Sequence, residues 1–194
     1  MAAAGSPPRP MRRASALAAL ATLMLLGPPV SAQTRAAAEA LLGTRNLAVP
    51  VEGIDRSALR DTFSDARSVG RKHDAIDIAA ARGSKVYAVD DGTVVKLFRS
   101  IPGGLTIYQF DPSSGLSYYY AHLDRYADGL REGAQVRRCD VIGYVGTTGN
   151  APSNAPHLHF GVAALGTQKR WWEGSALNPY PALRAERPGD KPCP

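Results

Sequence analysis

Short runs of apolar residues with polar residues interspersed follow one another from residue 85 onward, and turn-forming residues separate them. The first run covers residues 85–89, the turn Asp90-Asp91-Gly92 follows it, and the second run covers residues 93–98. Four more runs lie at residues 105–110, 116–122, 141–145 and 157–163. Runs of this length and composition are typical of β-strands, and the short connections exclude the long crossovers that parallel pairing needs. The pattern predicts a mainly β fold, with one antiparallel domain over residues 49–183.

Different patterns flank this domain on both sides. Residues 33–48 form an alanine-rich stretch that is compatible with a helix, and Gly43 is expected to end it. Residues 49–72 contain polar turns and are predicted to be an approach loop. The proline-rich tail is expected to be extended or poorly ordered. The predicted divisions are a signal peptide at 1–32, an N-terminal extension at 33–67, the main domain at 68–183 and the tail at 184–194.

The first 32 residues have the pattern of a secretory signal peptide. Three arginines lie within residues 9–13, the apolar run Ala16–Leu26 follows, and the small residues Val30-Ser31-Ala32 offer a cleavage site before Gln33. An uncleaved membrane anchor is the alternative, but the apolar run is short and Gly27-Pro28-Pro29 interrupts it. The sequence therefore predicts an exported protein, periplasmic or secreted, with no stable membrane span after cleavage.

Charge and cysteine content exclude some functions and leave others open. The net charge is +6 at pH 7, but three of the basic residues lie in the predicted signal and no block of lysine or arginine remains. The sequence therefore gives no indication of nucleic-acid binding. The two cysteines, Cys139 and Cys193, are expected either to form a disulfide or to remain two thiols. Cys139 has no other ligand-type residue at the spacing of a zinc site.

All four histidines of the chain lie in three short segments of the predicted domain. His157 and His159 are two residues apart in a predicted strand, so both side chains point to the same face. His73 and Asp77 are separated by an even number of positions, which also permits a shared face. Asp74 is the competing carboxylate, but its odd offset from His73 points it away in an extended segment. Each pair alone is also compatible with a solvated surface.

The remaining histidine, His122, follows three consecutive tyrosines at the end of a predicted strand. Tyr120 lies two residues before it and is therefore predicted to share its face and to line the same groove. A histidine packed on tyrosine rings is the alternative interpretation. Taken together, the three segments supply the imidazole and carboxylate groups that zinc prefers, with further imidazoles for proton transfer.

The order of these motifs resembles that of the lysostaphin-type (LytM-like) zinc metallopeptidases. The motifs are H-x-x-x-D, A-V-D-D-G-T-V, Y-x-H-L, I-G-x-V-G-x-T-G and H-L-H-F, and the resemblance covers residues 68–163. It implies an antiparallel β fold with a zinc ion in a groove, and hydrolysis of peptide bonds in peptidoglycan. By the same resemblance, His73, Asp77 and His159 are the zinc ligands, and His122 and His157 are the catalytic histidines. Cys139 stands where the family commonly has glycine.

The chemistry expected of such a site is that of a zinc endopeptidase. Three protein ligands leave one zinc position open for water, and zinc brings the pKa of that water toward about 7. One of His122 and His157 is expected to take a proton from the water, and the two histidines to assist the tetrahedral oxyanion and the leaving amine. The expected substrates are stem or cross-link peptides of peptidoglycan, and the bond that is cut remains open.

Two alternatives to this interpretation also remain open. The chain is a non-enzymatic relative that binds the wall or activates another hydrolase, or it is a zinc peptidase that acts on proteins. Relatives without activity typically lack some of the site residues, whereas this chain has all five. A regulatory partner is unknown, and residues 33–72 are a candidate for an inhibitory segment because they directly precede the first ligand.

Overall fold

The computed structural model describes residues 32–67, 70, 72–187 and 190–194, so the predicted signal peptide lies outside the described residues except for Ala32. Helix α1 and a 3-10 turn at Arg56–Ala58 precede a run of strands, and helix α2 follows it. The helices are α1 (Ala32–Thr44) and α2 (Tyr180–Arg184). The strands are β1 (Ile76–Ala79), β2 (Lys85–Tyr87), β3 (Gly92–Ser100), β4 (Gly104–Phe110), β5 (Leu116–Tyr126), β6 (Gln135–Val136), β7 (Val141–Val145), β8 (His157–Ala164) and β9 (Ser175–Leu177).

The nine strands form one sheet, and every pair of neighbouring strands is antiparallel. The main path through the sheet is β1-β8-β5-β4-β3-β6, while β7 pairs with β2 and β5, and β9 pairs with β8. The predicted mainly antiparallel β fold is therefore confirmed. This order brings β1, β5 and β8, which carry most of the candidate site residues, next to one another.

All six predicted runs are strands in the structure, and β1 lies in the segment around Asp77 that the sequence argument treats as extended. The pattern does not predict β6 and β9. These strands have two and three residues, so they offer too few positions for a run to be recognised. Strand β5 extends to Tyr126, four residues beyond the predicted run, because its last residues pair with β7. An irregularity within β5 is described with the site.

Helix α1 covers one edge of the core through Ala38 and Leu42, which are buried among the apolar side chains of the sheet. It ends at Thr44, one residue after the glycine predicted to end it, and the Thr44 hydroxyl donates a hydrogen bond to the Leu41 carbonyl. None of the helices in the described part of the chain is long and apolar enough to cross a membrane.

The described part of the C-terminal tail packs against the domain. Residues 180–184 are helical, with Pro181 near the helix start, where its missing N–H costs no hydrogen bond. Farther along, the Asp190 carboxylate accepts hydrogen bonds from Arg56 and Arg138. Helix α2 thus lies at the end of the predicted domain. The described residues of the tail beyond it have no regular secondary structure, as expected, but Asp190 anchors them to the domain.

A disulfide between Cys139 and Cys193 fixes the end of the tail, so the first of the two alternatives for the cysteines is correct. Cys139 has a φ of 75°, in the left-handed region that favours glycine. This backbone conformation explains why glycine is common at that position in the family that the sequence resembles. Here a cysteine occupies it, and its side chain holds the tail.

Replacing both cysteines with serine should lower the stability of the folded protein. The disulfide closes a loop between residues 54 apart, for which chain entropy predicts a loss of about 4 kcal/mol in the free energy of unfolding. Urea unfolding of the oxidised protein and of the double variant would measure the difference. The oxidised protein treated with a reductant is the matched control and should unfold at the midpoint of the variant. Equal midpoints for oxidised protein and variant would contradict the prediction.

Candidate active site

Three donor atoms from His73, Asp77 and His159 form a nearly equilateral triangle. The His73 Nε2 lies 2.9 Å from the Asp77 Oδ1 and 3.0 Å from the His159 Nδ1, and the last two atoms are 3.1 Å apart. Tetrahedral zinc with bonds of about 2.0–2.1 Å would hold its ligands about 3.3 Å from one another. The spacing of the three donors therefore fits a small divalent cation such as zinc.

Strand pairing explains how residues 82 positions apart meet. Asp77 in β1 and His159 in β8 are direct partners in the antiparallel register, so their side chains project from the same face. His73 lies just before β1 and is buried, with 7% of its surface exposed. The register places Asp77 and His159 on one side of the sheet, and the turn before β1, where Asp74 has a φ of 55°, brings His73 to the same place. Asp74 does not belong to the triangle.

Hydrogen bonds fix the state of these ligands. The His73 Nδ1 lies 2.8 Å from the Thr62 carbonyl oxygen, which only accepts, so Nδ1 carries the proton and Nε2 presents its lone pair to the triangle. Burial raises the pKa of Asp77, but the hydrogen bonds from His159, His73 and Arg67 lower it by a larger amount. The net effect is a pKa well below the usual value, which keeps the carboxyl ionised. Burial lowers the pKa of His159, which favours the neutral, ligating form. The triangle therefore collects negative charge and lone pairs, which a bound cation would stabilise.

His122 and His157 lie beside the triangle. Their ring centroids are 4.9 Å apart, and the His157 Nε2 is 3.7 Å from the Asp77 Oδ1. Both rings donate Nδ1–H to a backbone carbonyl 2.8 Å away, His122 to Thr148 and His157 to Ala155, so each Nε2 is left as an acceptor. Burial lowers the pKa of His122 to about 4. All five site residues predicted from the sequence therefore line one groove.

An irregularity in β5 directs His122 into this groove. Leu105 pairs with Leu123, but Ile107 pairs with Tyr120, so two residues of β5 lie opposite one residue of β4. The arrangement is a β-bulge, which reverses the alternation of side chains beyond it. His122 itself has a φ of 61°, and its backbone N–H donates to the Gly103 carbonyl at 2.8 Å.

The bulge makes the prediction for Tyr120 wrong. The Tyr120 side chain is fully buried in the core, where its hydroxyl donates to the Gln109 side-chain oxygen at 2.8 Å and accepts from the Val89 N–H at 3.0 Å. Tyr119 lines the groove instead, and its ring lies 5.9 Å from that of His159. Tyr119 and His122 are three positions apart, an odd number that would put them on opposite faces of a regular strand. The extra residue of the bulge puts them on the same face.

The T-G pair at the end of the I-G-x-V-G-x-T-G motif supports His122. The Thr148 carbonyl accepts from the His122 ring, and the Thr148 hydroxyl donates to the Leu123 carbonyl at 2.7 Å. Gly149 has a φ of 77°, and a Cβ there would lie 2.3 Å from the Gly104 nitrogen. Only glycine permits this approach, which keeps Thr148 close to the bulge.

Residues 62–67 support the ligands from behind. The Thr62 hydroxyl accepts from the Asp77 backbone N–H at 3.1 Å, and Arg67 donates to the outer oxygen of Asp77 at 2.5 Å. The Asp65 carbonyl accepts from the backbone N–H of His73 at 3.0 Å. Sequence reasoning does not identify Thr62 or Arg67, because no motif connects them to the ligands and the contacts depend on the tertiary fold.

Comparison with known proteins identifies the family. Residues 71–179 match the model of peptidase family M23. The chain belongs to that family. This M23 chain is 35% identical over 133 residues to the L-Ala--D-Glu endopeptidase of Bacillus subtilis. The aligned region covers 65% of this chain and 39% of that protein. It is 38% identical over 91 residues to the DD-carboxypeptidase/endopeptidase Mpg of Neisseria meningitidis. That aligned region covers 46% of this chain and 20% of the Neisseria protein.

Among solved structures, the catalytic domain of the antimicrobial peptidase lysostaphin from Staphylococcus simulans superposes with a TM-score of 0.56. It is 25% identical, and the match covers 67% of this M23 chain and 96% of that domain. The resemblance to lysostaphin-type peptidases and the mainly β fold are thus confirmed. The M23 chain spans only about two fifths of the Bacillus relative and one fifth of the Neisseria relative.

Proposed function

We propose that this protein is an exported zinc metalloendopeptidase that hydrolyses cross-link peptides of bacterial peptidoglycan. The observation that carries the proposal is the triangle of donors from His73, Asp77 and His159 with two further imidazoles beside it. Membership of family M23 supports peptidase activity. A non-enzymatic relative would not need the complete set of five side chains in one groove.

The proposed metal ligands are His73, Asp77 and His159, and the proposed cofactor is zinc. Zinc held there would act as a Lewis acid on the scissile carbonyl. It would also lower the pKa of a bound water toward about 7. His73 keeps its ligating nitrogen free of a proton because Thr62 holds the opposite nitrogen. Arg67 holds the outer oxygen of Asp77, so the inner oxygen faces the two imidazoles.

We assign proton transfer to His122 and His157. Each ring is held by its Nδ1–H on a backbone carbonyl, which leaves Nε2 as an acceptor for a proton from the attacking water. The same nitrogen, once protonated, can donate to the oxyanion or to the leaving amine. Two rings 4.9 Å apart can therefore divide the acceptor and donor steps between them.

Two features support export to the periplasm or the medium. The N-terminal residues have the pattern of a secretory signal, and a disulfide joins Cys139 to Cys193. Disulfides persist in oxidising compartments and are rare in the cytosol. Peptidoglycan lies in the same compartment, so location and substrate agree.

Peptides of peptidoglycan are the proposed substrate class because two relatives carry names that point to them. One is named for an L-Ala--D-Glu bond and the other for a DD bond, so the two names agree on the class and differ in the bond. The lining of the groove includes Pro102 from the β3–β4 turn and Pro156 from the segment before β8, in addition to the histidines.

Mass spectrometry of digestion products would test the proposal. A protein of residues 33–194, loaded with zinc, would be incubated with cross-linked peptidoglycan. In a parallel sample, a folded protein would replace the peptidoglycan as the substrate. We expect new peptide termini from the peptidoglycan that disappear when a chelator is added. Intact muropeptides from a sample with stoichiometric zinc would overturn the proposal, and cleavage of the protein alone would establish a protein substrate instead.

Replacing Arg67 with alanine should weaken zinc binding by about tenfold, because a side chain that hydrogen-bonds to a metal ligand typically contributes about 10–100-fold in metal affinity. Arg67 reaches Asp77 from outside the residues that match the family. Competition with a chromophoric chelator would measure the affinity. Arg60→Ala is a matched control, since Arg60 is exposed and does not line the groove. The same affinity in both variants would refute the assignment.

A further inference from the structure

Five aromatic side chains form a continuous row that starts at the candidate metal site. We call Tyr119, Tyr108, Trp171, Phe98 and Trp172 the aromatic row. The Tyr119 ring lies 5.9 Å from that of His159 and 4.8 Å from that of Tyr108. Trp171 follows at 4.9 Å from Tyr108, and it contacts Phe98 at 5.2 Å and Trp172 at 5.3 Å.

The sheet builds this row from neighbouring strands. Tyr108 in β4 and Tyr119 in β5 are direct partners in the antiparallel register, and Phe98 lies in β3, which pairs with β4. The loop between β8 and β9 adds the two tryptophans. The row therefore runs across three strands and leads away from the groove.

The outer end of the row is exposed to solvent. Trp172 is 63% exposed and Phe98 is 39% exposed, and in the part of the chain that the structure describes only Ile101 is a further exposed large apolar side chain. Ile101 lies in the β3–β4 turn beside Pro102, which lines the groove. Phe98 and Trp172 both contact Trp171, so these rings form an exposed apolar patch, and such patches typically mark a binding site.

Cationic groups accompany the rings. The Lys96 Nζ lies 6.0 Å from the centre of the Trp171 ring, and the Arg170 guanidinium lies 5.9 Å from that of Trp172. The surface thus combines apolar rings with cationic hydrogen-bond donors that lie about one ring spacing from them. Such a surface suits a ligand that has apolar faces and polar edges.

We propose that the aromatic row binds the glycan strand of peptidoglycan while a peptide of the same polymer occupies the groove. Sugar rings present C–H groups on their faces, which pack on the negative face of an aromatic ring, and their hydroxyl and amide groups point outward to donors and acceptors. The proposal rests on the proposed function, because the peptide in the groove is covalently attached to a sugar. A protein partner is less suited to a narrow row, since stable interfaces bury about 800 Å² on each side.

The distance between row and site is compatible with one polymer reaching both. The ring steps from His159 to Trp171 are 5.9, 4.8 and 4.9 Å, so the two rings are at most about 16 Å apart. Four to five extended residues span about that length, at about 3.3–3.6 Å each. A stem peptide whose far end is in the groove therefore leaves its sugar within reach of the tryptophans.

Calorimetric titration with glycan strands freed of their peptides would test the proposal without hydrolysis. We expect the wild-type chain to bind these strands and the Trp172→Ala variant to bind them about fivefold more weakly, as the loss of one ring contact implies. Trp172→Phe is the matched variant, because it keeps a ring, and it should restore most of the affinity. Equal affinities for wild type and Trp172→Ala, or no binding by the wild type, would overturn the proposal.

Kinetics would separate this inference from the proposed function. The ratio of kcat/KM on whole peptidoglycan to kcat/KM on sugar-free cross-linked peptides should fall in Trp172→Ala and recover in Trp172→Phe. An unchanged ratio would count against the glycan site even if both substrates are cut. Glycan binding by a wild-type protein that cuts neither substrate would reject the proposed function and support the site.

Discussion

Replacing His159 with alanine should remove both the bound metal and the hydrolytic activity. His159 supplies one corner of a triangle whose sides are 2.9–3.1 Å, and the two remaining donors would leave the cation open to solvent on that side. Because three protein ligands are the usual minimum for a catalytic zinc site, we expect no zinc after dialysis. We expect kcat/KM to fall at least about 10⁴-fold, since both the Lewis acid and the arrangement around it are lost.

Elemental analysis of dialysed protein, together with kcat/KM on peptidoglycan peptides, would measure both effects. Asp74→Asn is a matched control: it removes a carboxylate next to His73 that does not belong to the triangle, and asparagine tolerates its φ of 55°. That variant should retain a full equivalent of zinc. Stoichiometric zinc in His159→Ala would show that the metal is held elsewhere.

The ligand triangle is the part of the site that the sequence could predict, and the reason is local geometry. Even spacing within an extended segment places side chains on one face, which is sufficient for the pair in β8. His73 reaches Asp77 differently, because β1 begins only at Ile76 and the backbone before it turns at Asp74. Sequence cannot supply the register that brings Asp77 opposite His159, although the order of motifs indicates it through family resemblance. The fold class follows from the short runs and turns for the same reason.

Tyr120 marks the limit of that reasoning. The prediction assumes that alternation continues through the end of β5, and one additional residue in the strand reverses it. A bulge is stabilised by contacts far away in sequence, here the Gly103 carbonyl that accepts from the His122 N–H and the Thr148 carbonyl that accepts from its ring. The sequence nevertheless contained an indication of the bulge. Thr148 and Gly149, at the end of the fourth motif, lie outside the strands, and Thr148 contacts the bulge at His122 and Leu123.

Residues 33–67, which belong to the candidate inhibitory segment 33–72, contact both the core and the site in the structure. Within residues 33–67, only Arg67 lines the groove, whereas Thr62 and Asp65 hold His73 and Asp77 from behind. Helix α1 contributes to the core instead, through Ala38 and Leu42. Residues 62–67 therefore support the site, while Lys72 also lines the groove and the inhibitory role of residues 33–72 stays a prediction.

Replacing His157 with alanine should have the opposite effect on the metal from replacing His159, although the two residues are neighbours in one strand. The His157 Nε2 is 3.7 Å from the Asp77 Oδ1, outside the triangle, and its Nδ1–H is held by the Ala155 carbonyl. The three ligands therefore remain, and we expect a full equivalent of zinc. Loss of a positioned acid–base group should lower kcat by about 10²–10⁴-fold.

The variants His159→Ala and His157→Ala together test whether the two histidines of H-L-H have different roles, one in metal binding and the other in proton transfer. Zinc content and kcat would be measured for His157→Ala beside His122→Ala, which removes the neighbouring ring and should likewise keep zinc while losing activity. Each variant removes one imidazole from the same groove, so a general loss of charge or volume cannot explain a difference in metal content from His159→Ala. A His157→Ala protein without zinc would make His157 a ligand, and normal turnover in that variant would exclude it from proton transfer.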